Sequence, residues 1–199
     1  MNEEKTALMP ALELLRILHT AEKLKCQTRH CDTTSGRRES VAEHSWRLAL
    51  MAMLIAPEMI REIPGIDMDR VLRMCLIHDL GEAFTGDIPV FQKSSGDSDT
   101  EDRLFEAWIA SFPAGTRSEW ENLLSEMNAL ETPESRVYKA LDKLEALIQH
   151  NESDIRSWLP LEYDLQKTYG WEAVEFSPYL KKLREQVLSD TIKKIEEEG

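Results

Sequence analysis

No apolar run in this chain is long enough to cross a bilayer. The longest, LALMAMLIA at 48–56, is about half of the ~20 residues a spanning helix needs. Cysteine is scarce too: Cys26, Cys31 and Cys75 make an odd count without framework spacing. That excludes a disulfide scaffold and points to reduced thiols in the cytoplasm. The leading MNEEKTALMP lacks the apolar stretch of a signal peptide. Positive charge is in short supply, with 24 Lys and Arg against 37 Asp and Glu and a formal net charge of −13. Polymeric DNA or RNA is therefore a poor partner, since its binding depends on excess Lys and Arg. A small phosphate remains compatible, because Lys23, Lys25, Arg29, Arg37, Arg38 and Arg47 crowd one stretch.

What is present is helical periodicity. With 199 residues and 42% hydrophobic content, the chain can bury a core as one all-α domain over 1–199. Leu8, Leu12, Leu15 and Leu18 predict a first helix ending near Lys25, with Pro10 in its first turn. Ser40 with Glu43 three residues on is a capping box, opening a helix expected to stop at Ala56, before Pro57. Val71, Cys75, His78 and Glu82 predict a third helix over 67–83, with Gly86 as its stop. The small polar stretch KSSGDSDTED (93–102) reads as a loop, with helices following near 100–112 and 117–131. Thr132 and Pro133 then open a helix to about His150, with Val137, Leu141, Leu144 and Ile148 as its stripe. Further helices are expected near 152–169 and 177–197, with no strand and no internal repeat.

Into this apolar pattern the chain places chemistry. His78 shares the stripe of Val71 and Cys75, and Asp79 and Glu82 stand beside it. Burying an imidazole with two carboxylates is costly unless a cation compensates; otherwise these polar residues emerge into water at a helix end. His44 lies in the first turns of the capped helix, and alone it reads as a hydrogen-bonded boundary residue. Asp142 sits at the edge of the 133–150 stripe, where it could simply bridge to Lys139 or Lys143. Together, two imidazoles and two carboxylates from three helices make a mixed N/O set. Such a set suits Mn, Co, Fe, Ni or Zn, with Mg possible, and leaves positions for water and substrate.

The blocks RRESVAEHSWRLALMA, LIHDLGEAFTGDIP and KALDKLEALIQ resemble the HD-domain metal-dependent phosphohydrolases, and within them the 5'-deoxynucleotidase branch. The resemblance runs from about Leu15 to Gly170. It implies an HD-domain helical bundle that removes phosphate from (deoxy)nucleoside 5'-monophosphates, and a homodimer. It also implies that His44, His78, Asp79 and Asp142 hold one divalent metal. Glu82 would serve as general base, and Asp87 of the TGD turn would lie near the sugar and leaving oxygen. Arg29, with Lys93 beside it, would contact phosphate. The resemblance leaves the sugar preference open: the family commonly has an aromatic residue after the arginine, and here HCDTTSG follows.

Other readings compete. The chain could act on nucleoside triphosphates or signalling nucleotides, or be a non-catalytic HD module that binds a nucleotide or protein. It could also be a helical interaction protein whose polar residues coincide by chance. Cys26, His30 and Cys31, with Cys75, are conceivable zinc ligands, but their spacing matches no zinc module and Arg29 stands among them. The five tryptophans read as packing residues.

Overall fold

Apolar side chains repeating every three to four residues can be buried together only by packing helix on helix. The computed structural model, which describes residues 9–199, has this all-helical architecture with one small hairpin added. Leu8 and most of the leading segment read above lie outside the described residues. In chain order come α1 (Ala11–Ala21), β1 (Thr28–Asp32), β2 (Arg38–Ser40), α2 (Val41–Glu62), α3 (Met68–Ile77) and α4 (Glu82–Thr85). Then follow α5 (Ser95–Ile109), α6 (Ala114–Ala129), α7 (Pro133–Glu152), α8 (Glu162–Thr168), α9 (Trp171–Val174) and α10 (Pro178–Glu198).

The centre is α2, α3 and α7 packed together, with α10 against α7. Val41, Leu48 and Met59 of α2, Val71 and Cys75 of α3, and Val137, Leu141 and Leu144 of α7 are all buried. They belong to one continuous cluster that extends from Leu24 to Val187. Each such aliphatic side chain contributes about 1.5–3 kcal/mol through burial. Among the described residues no helix is long and apolar enough to cross a membrane.

The capping box forms as expected. Ser40 Oγ accepts from the Glu43 N–H at 3.3 Å, and a Glu43 carboxylate oxygen accepts from the Ser40 N–H at 2.9 Å. This fixes the first turn of α2, where His44 sits. Ser40→Ala is expected to lower stability by about 1 kcal/mol, read as a thermal midpoint lower by a few degrees.

Several expected boundaries move, each for an identifiable reason. α2 does not stop at Ala56 but runs through Pro57 to Glu62. Proline deprives the Met53 carbonyl of its partner, yet Pro57 and Met53 are both exposed, so that carbonyl is open to solvent rather than buried unpaired. The third helix does not reach residue 83. α3 ends at Ile77, and the bonding tightens from His78 N–H on Met74 to three-residue closures, Leu80 on Ile77 and Glu82 on Asp79.

The expected loop over 93–102 is instead the start of α5. Ser94 and Asp97 form a second capping box, so these small polar residues initiate a helix. A continuous helix over 152–169 is also absent. Ser153 turns extended, Asp154 caps a short 3-10 turn at Ile155–Ser157, and α8 starts only after Pro160, which has no N–H to give.

The antiparallel hairpin of β1 and β2 was not expected at all. It pairs Thr28 with Ser40 and Asp32 with Arg38, with an irregularity between. Its inward residues are Arg29, Cys31 and Glu39, largely charged, so the alternation is invisible as hydropathy. Trp46 departs as well: it is 63% exposed, while Trp108 and Trp120 pack edge to face with Phe112.

Candidate metal centre and phosphate pocket

Three helices deliver the metal-ligand candidates to one point. His44 comes from the first turns of α2, His78 and Asp79 from the tightened end of α3, and Asp142 from the middle of α7. His44 Nε2 and His78 Nε2 lie 3.2 Å apart. Asp79 Oδ2 is 3.1 Å from His78 Nε2 and 3.7 Å from His44 Nε2. Asp142 Oδ1 is 3.3 Å from His44 Nε2 and 3.6 Å from His78 Nε2. All four residues named from sequence are therefore brought together.

The opposite ring nitrogens are committed. His78 Nδ1 lies 3.0 Å from the Cys75 carbonyl oxygen, and His44 Nδ1 is hydrogen-bonded to Glu145. Carbonyl and carboxylate only accept, so each Nδ1 carries a proton, and in the neutral ring Nε2 is the nitrogen left to ligate. Two lone pairs and two carboxylates converging on one point fit a divalent cation. Without a cation, the two carboxylates draw protons onto the imidazoles instead, the charge a metal would replace. Burial works to lower the His78 pKa, but Asp79 and Asp142 overcome it and push it up to about 10. Burial would raise Asp142, yet Lys139, His44 and His78 hold it well below the carboxylate range. Lys139 Nζ does bridge to Asp142 Oδ2 at 2.7 Å. That bridge occupies the other oxygen and leaves Oδ1 toward the imidazoles.

A cavity of about 270 Å³ opens beside this point, lined among others by Arg29, Asp79, Glu82, Asp87, Lys93 and Asp142. Arg29 extends from β1, with Nε 3.2 Å from buried Glu39 and a terminal nitrogen 3.5 Å from Asp79. Glu82 is 4% exposed, and its Oε2 has no hydrogen-bond partner. Burial, then repulsion by Asp79 and Asp87, pushes it up to about 10. Asp87 follows Gly86, whose φ of 78° and ψ of 166° belong to a region that only glycine occupies readily. Burial raises the Asp87 pKa against the pull of Arg29. Lys93 lines the cavity, but its ammonium is held by Glu101 at 2.7 Å.

The six basic residues crowded in sequence do not form a patch. Arg37 pairs with Glu43, Arg38 with Asp32, and Arg47 with Glu145 and Glu152, so Arg29 is the one of them that lines the cavity. The cysteine-rich segment gathers no zinc set either: Cys26 is exposed, Cys31 donates to Glu39, and Cys75 is buried in the core. Sequence reasoning missed Glu39 and Glu145, both inaccessible and both grouped around His44. Glu145 did carry a signal, a charge inside the apolar stripe of α7 and one turn from Asp142. His30, Phe91 and Tyr169 also line the cavity and were not anticipated.

Comparison with known proteins gives a consistent result. A family model described as HD domain matches residues 21–184. The 5'-deoxynucleotidase HDDC2 of Danio rerio is 32% identical over 116 residues, covering 57% of this chain and 55% of that protein. The Homo sapiens protein of the same name is 29% identical over 118 residues, covering 58% and 55%. The chain thus spans about half the length of the curated relatives it matches. A solved structure from Magnetospirillum magnetotacticum, described as a "Predicted metal-dependent phosphohydrolase", superposes with a TM-score of 0.79 at 27% identity, covering 94% of this chain and 97% of that one.

Proposed function

The chain belongs to the HD-domain family, and from that premise we propose that it is a metal-dependent phosphohydrolase of (deoxy)nucleoside 5'-monophosphates. The observation that carries this reading is the pair of Nε2 atoms 3.2 Å apart, flanked by Asp79 and Asp142, at the edge of a cavity that holds Arg29. His44, His78, Asp79 and Asp142 would hold one divalent ion, of Mn, Co, Fe, Ni, Zn or Mg. When bound, such an ion polarises a phosphoryl oxygen and lowers the pKa of water. Arg29 offers its terminal nitrogens to the phosphate and offsets the charge that builds on it. Glu82 would take the proton of the attacking water at Oε2, for which its carboxyl, held protonated by burial and then by Asp79 and Asp87, must first ionise beside the positive charge of the bound ion. Asp87 holds the sugar and the leaving oxygen. Lys93, tied to Glu101, assists at the cavity mouth.

Charge and size favour one phosphate over three. The cavity wall carries Arg29, Lys93, Lys139 and Lys143, of which Lys93 is held by Glu101, Lys139 by Asp142 and Lys143 by Glu172. Those pairings leave little positive charge for a triphosphate, and about 270 Å³ is at the small end of ligand cavities. The net charge of −13 favours a small nucleotide over a nucleic-acid polymer. The test is phosphate release from ribo- and deoxynucleoside mono-, di- and triphosphates by chelator-stripped protein resupplied with each metal. Release from monophosphates is the expected result; release from triphosphates alone would overturn it.

The described chain works as one domain built round its single core, and we infer that it pairs with a second copy. Leu12, Leu15 and Leu18 form a stripe on α1 and are 61%, 52% and 52% exposed. On α2, Trp46, Met53 and Leu54 are exposed as well. Apolar surface of this kind marks interaction faces, and twofold homodimers are the commonest use of them. Sedimentation equilibrium should give twice the chain mass for the wild type and one chain mass for a Leu12→Glu, Leu15→Glu variant; a monomeric wild type would contradict the inference.

A further inference from the structure

His44 is the only one of the four metal-ligand candidates gripped on both edges of its ring by one helix. Asp142 and Glu145 stand three residues apart on α7 and so share a face. Asp142 meets the Nε2 edge at 3.3 Å, and Glu145 bonds the Nδ1 edge. Glu145 is fully buried, as is His44. A buried carboxylate needs compensation, and Arg47 supplies it, with Nε 3.0 Å from Glu145 Oε1. Arg47 lies three residues after His44 on α2 and is itself bonded to Gln149 at 2.9 Å and Glu152 at 2.6 Å. Two pairs thus face each other across the α2–α7 contact, His44 with Arg47 and Asp142 with Glu145.

We propose that Glu145 is a positioning residue: its carboxylate holds the His44 proton on Nδ1, so that the Nε2 lone pair faces the metal position. This rests on the reading of His44 as a ligand. Neutral imidazole has two tautomers, and only the one protonated on Nδ1 can ligate through Nε2. Glu145, as an acceptor without a proton, admits only that tautomer. A bound carboxylate on the far nitrogen also makes the ligating nitrogen more basic.

A second metal ion between Glu39, His44 and Glu145 is the competing use of this cluster, whose three donor atoms lie within 4.8 Å of one another. Arg29 on Glu39 and Arg47 on Glu145 argue against it, because the two carboxylates already have matching positive charges. The ring would also have to lose both protons to serve two cations.

The test uses Glu145→Gln and Glu145→Asp in the full chain, with two readouts. Glutamine keeps the volume but can donate its amide N–H to Nδ1, which favours the wrong tautomer. Zinc affinity, measured by competition with a chelator, should fall about 10–100-fold in E145Q, with partial recovery in E145D. Histidine ring ¹⁵N spectra of the zinc-loaded wild type should show the His44 proton on Nδ1, and those of neutral-ring E145Q should show it on Nε2. Zinc affinity within twofold of wild type together with an unchanged tautomer would overturn the proposal. Should the wild type bind no zinc, the ligand reading itself fails. The ring spectrum of the metal-free protein, at a pH where His44 is neutral, then still decides the role of Glu145. Should E145Q not fold, a wild-type His44 protonated on Nε2 would overturn it.

Discussion

Asp79→Ala should abolish phosphate release, lowering kcat/KM by about 10³-fold or more with every metal supplied. The substitution removes one of four donors, and the several kcal/mol of transition-state stabilisation a catalytic metal supplies go with it. Loss of folding is not the expected cause. Asp79 stands close enough to Glu82 and Asp87 to raise both their pKa values by repulsion. Removing its charge relieves that repulsion but also takes the counter-charge from Arg29 and His78, so the metal-free variant should melt somewhat below wild type while staying folded at the assay temperature. A variant with full hydrolytic rate would contradict the site; one that melts far lower would leave the loss of rate to unfolding.

Glu82→Gln should separate chemistry from binding. A positioned general base contributes about 10²–10⁴-fold, so kcat should fall by that range while metal affinity stays near wild type. The same substitution should change stability with pH in a defined direction. Glu82 is pushed from 4.5 up to about 10 by burial and then by Asp79 and Asp87. An acid with a higher pKa folded than unfolded binds more protons in the folded state, so its contribution falls as pH rises from about 4.5 toward 10. Metal-free E82Q should therefore be more stable than wild type, with a gap that widens from pH 5 to pH 9. A gap that closes over that range would mean the carboxylate is not desolvated as the structure has it.

How much of this was legible in the sequence depends on what carried each signal. The stripes of α3 and α7 were plain, because Val71, Cys75, Leu141 and Leu144 recur at helical spacing and do form the core. Of the four metal-ligand candidates, His78 stood on an apolar stripe and Asp142 at the edge of one, while the roles of all four as ligands came from the resemblance of three sequence blocks to the HD-domain phosphohydrolases. The hairpin was not, since its inward face is Arg29, Cys31 and Glu39, and charges buried by mutual pairing leave no hydropathy pattern. The start of α5 was hidden for a different reason. Ser94 and Asp97 cap a helix with the same small polar residues that elsewhere make loops. Glu145 shows the limit most clearly. Its role depends on a ring 101 residues away in the chain, and only the packing of α7 on α2 brings the two together.

The most direct test of the account is a titration of chelator-stripped protein with Co(II), followed by its visible spectrum and by metal analysis of the saturated protein. One ion per chain, lost in Asp79→Ala, is the result expected if His44, His78, Asp79 and Asp142 form one metal centre. No binding beyond that of the Asp79→Ala variant would contradict it.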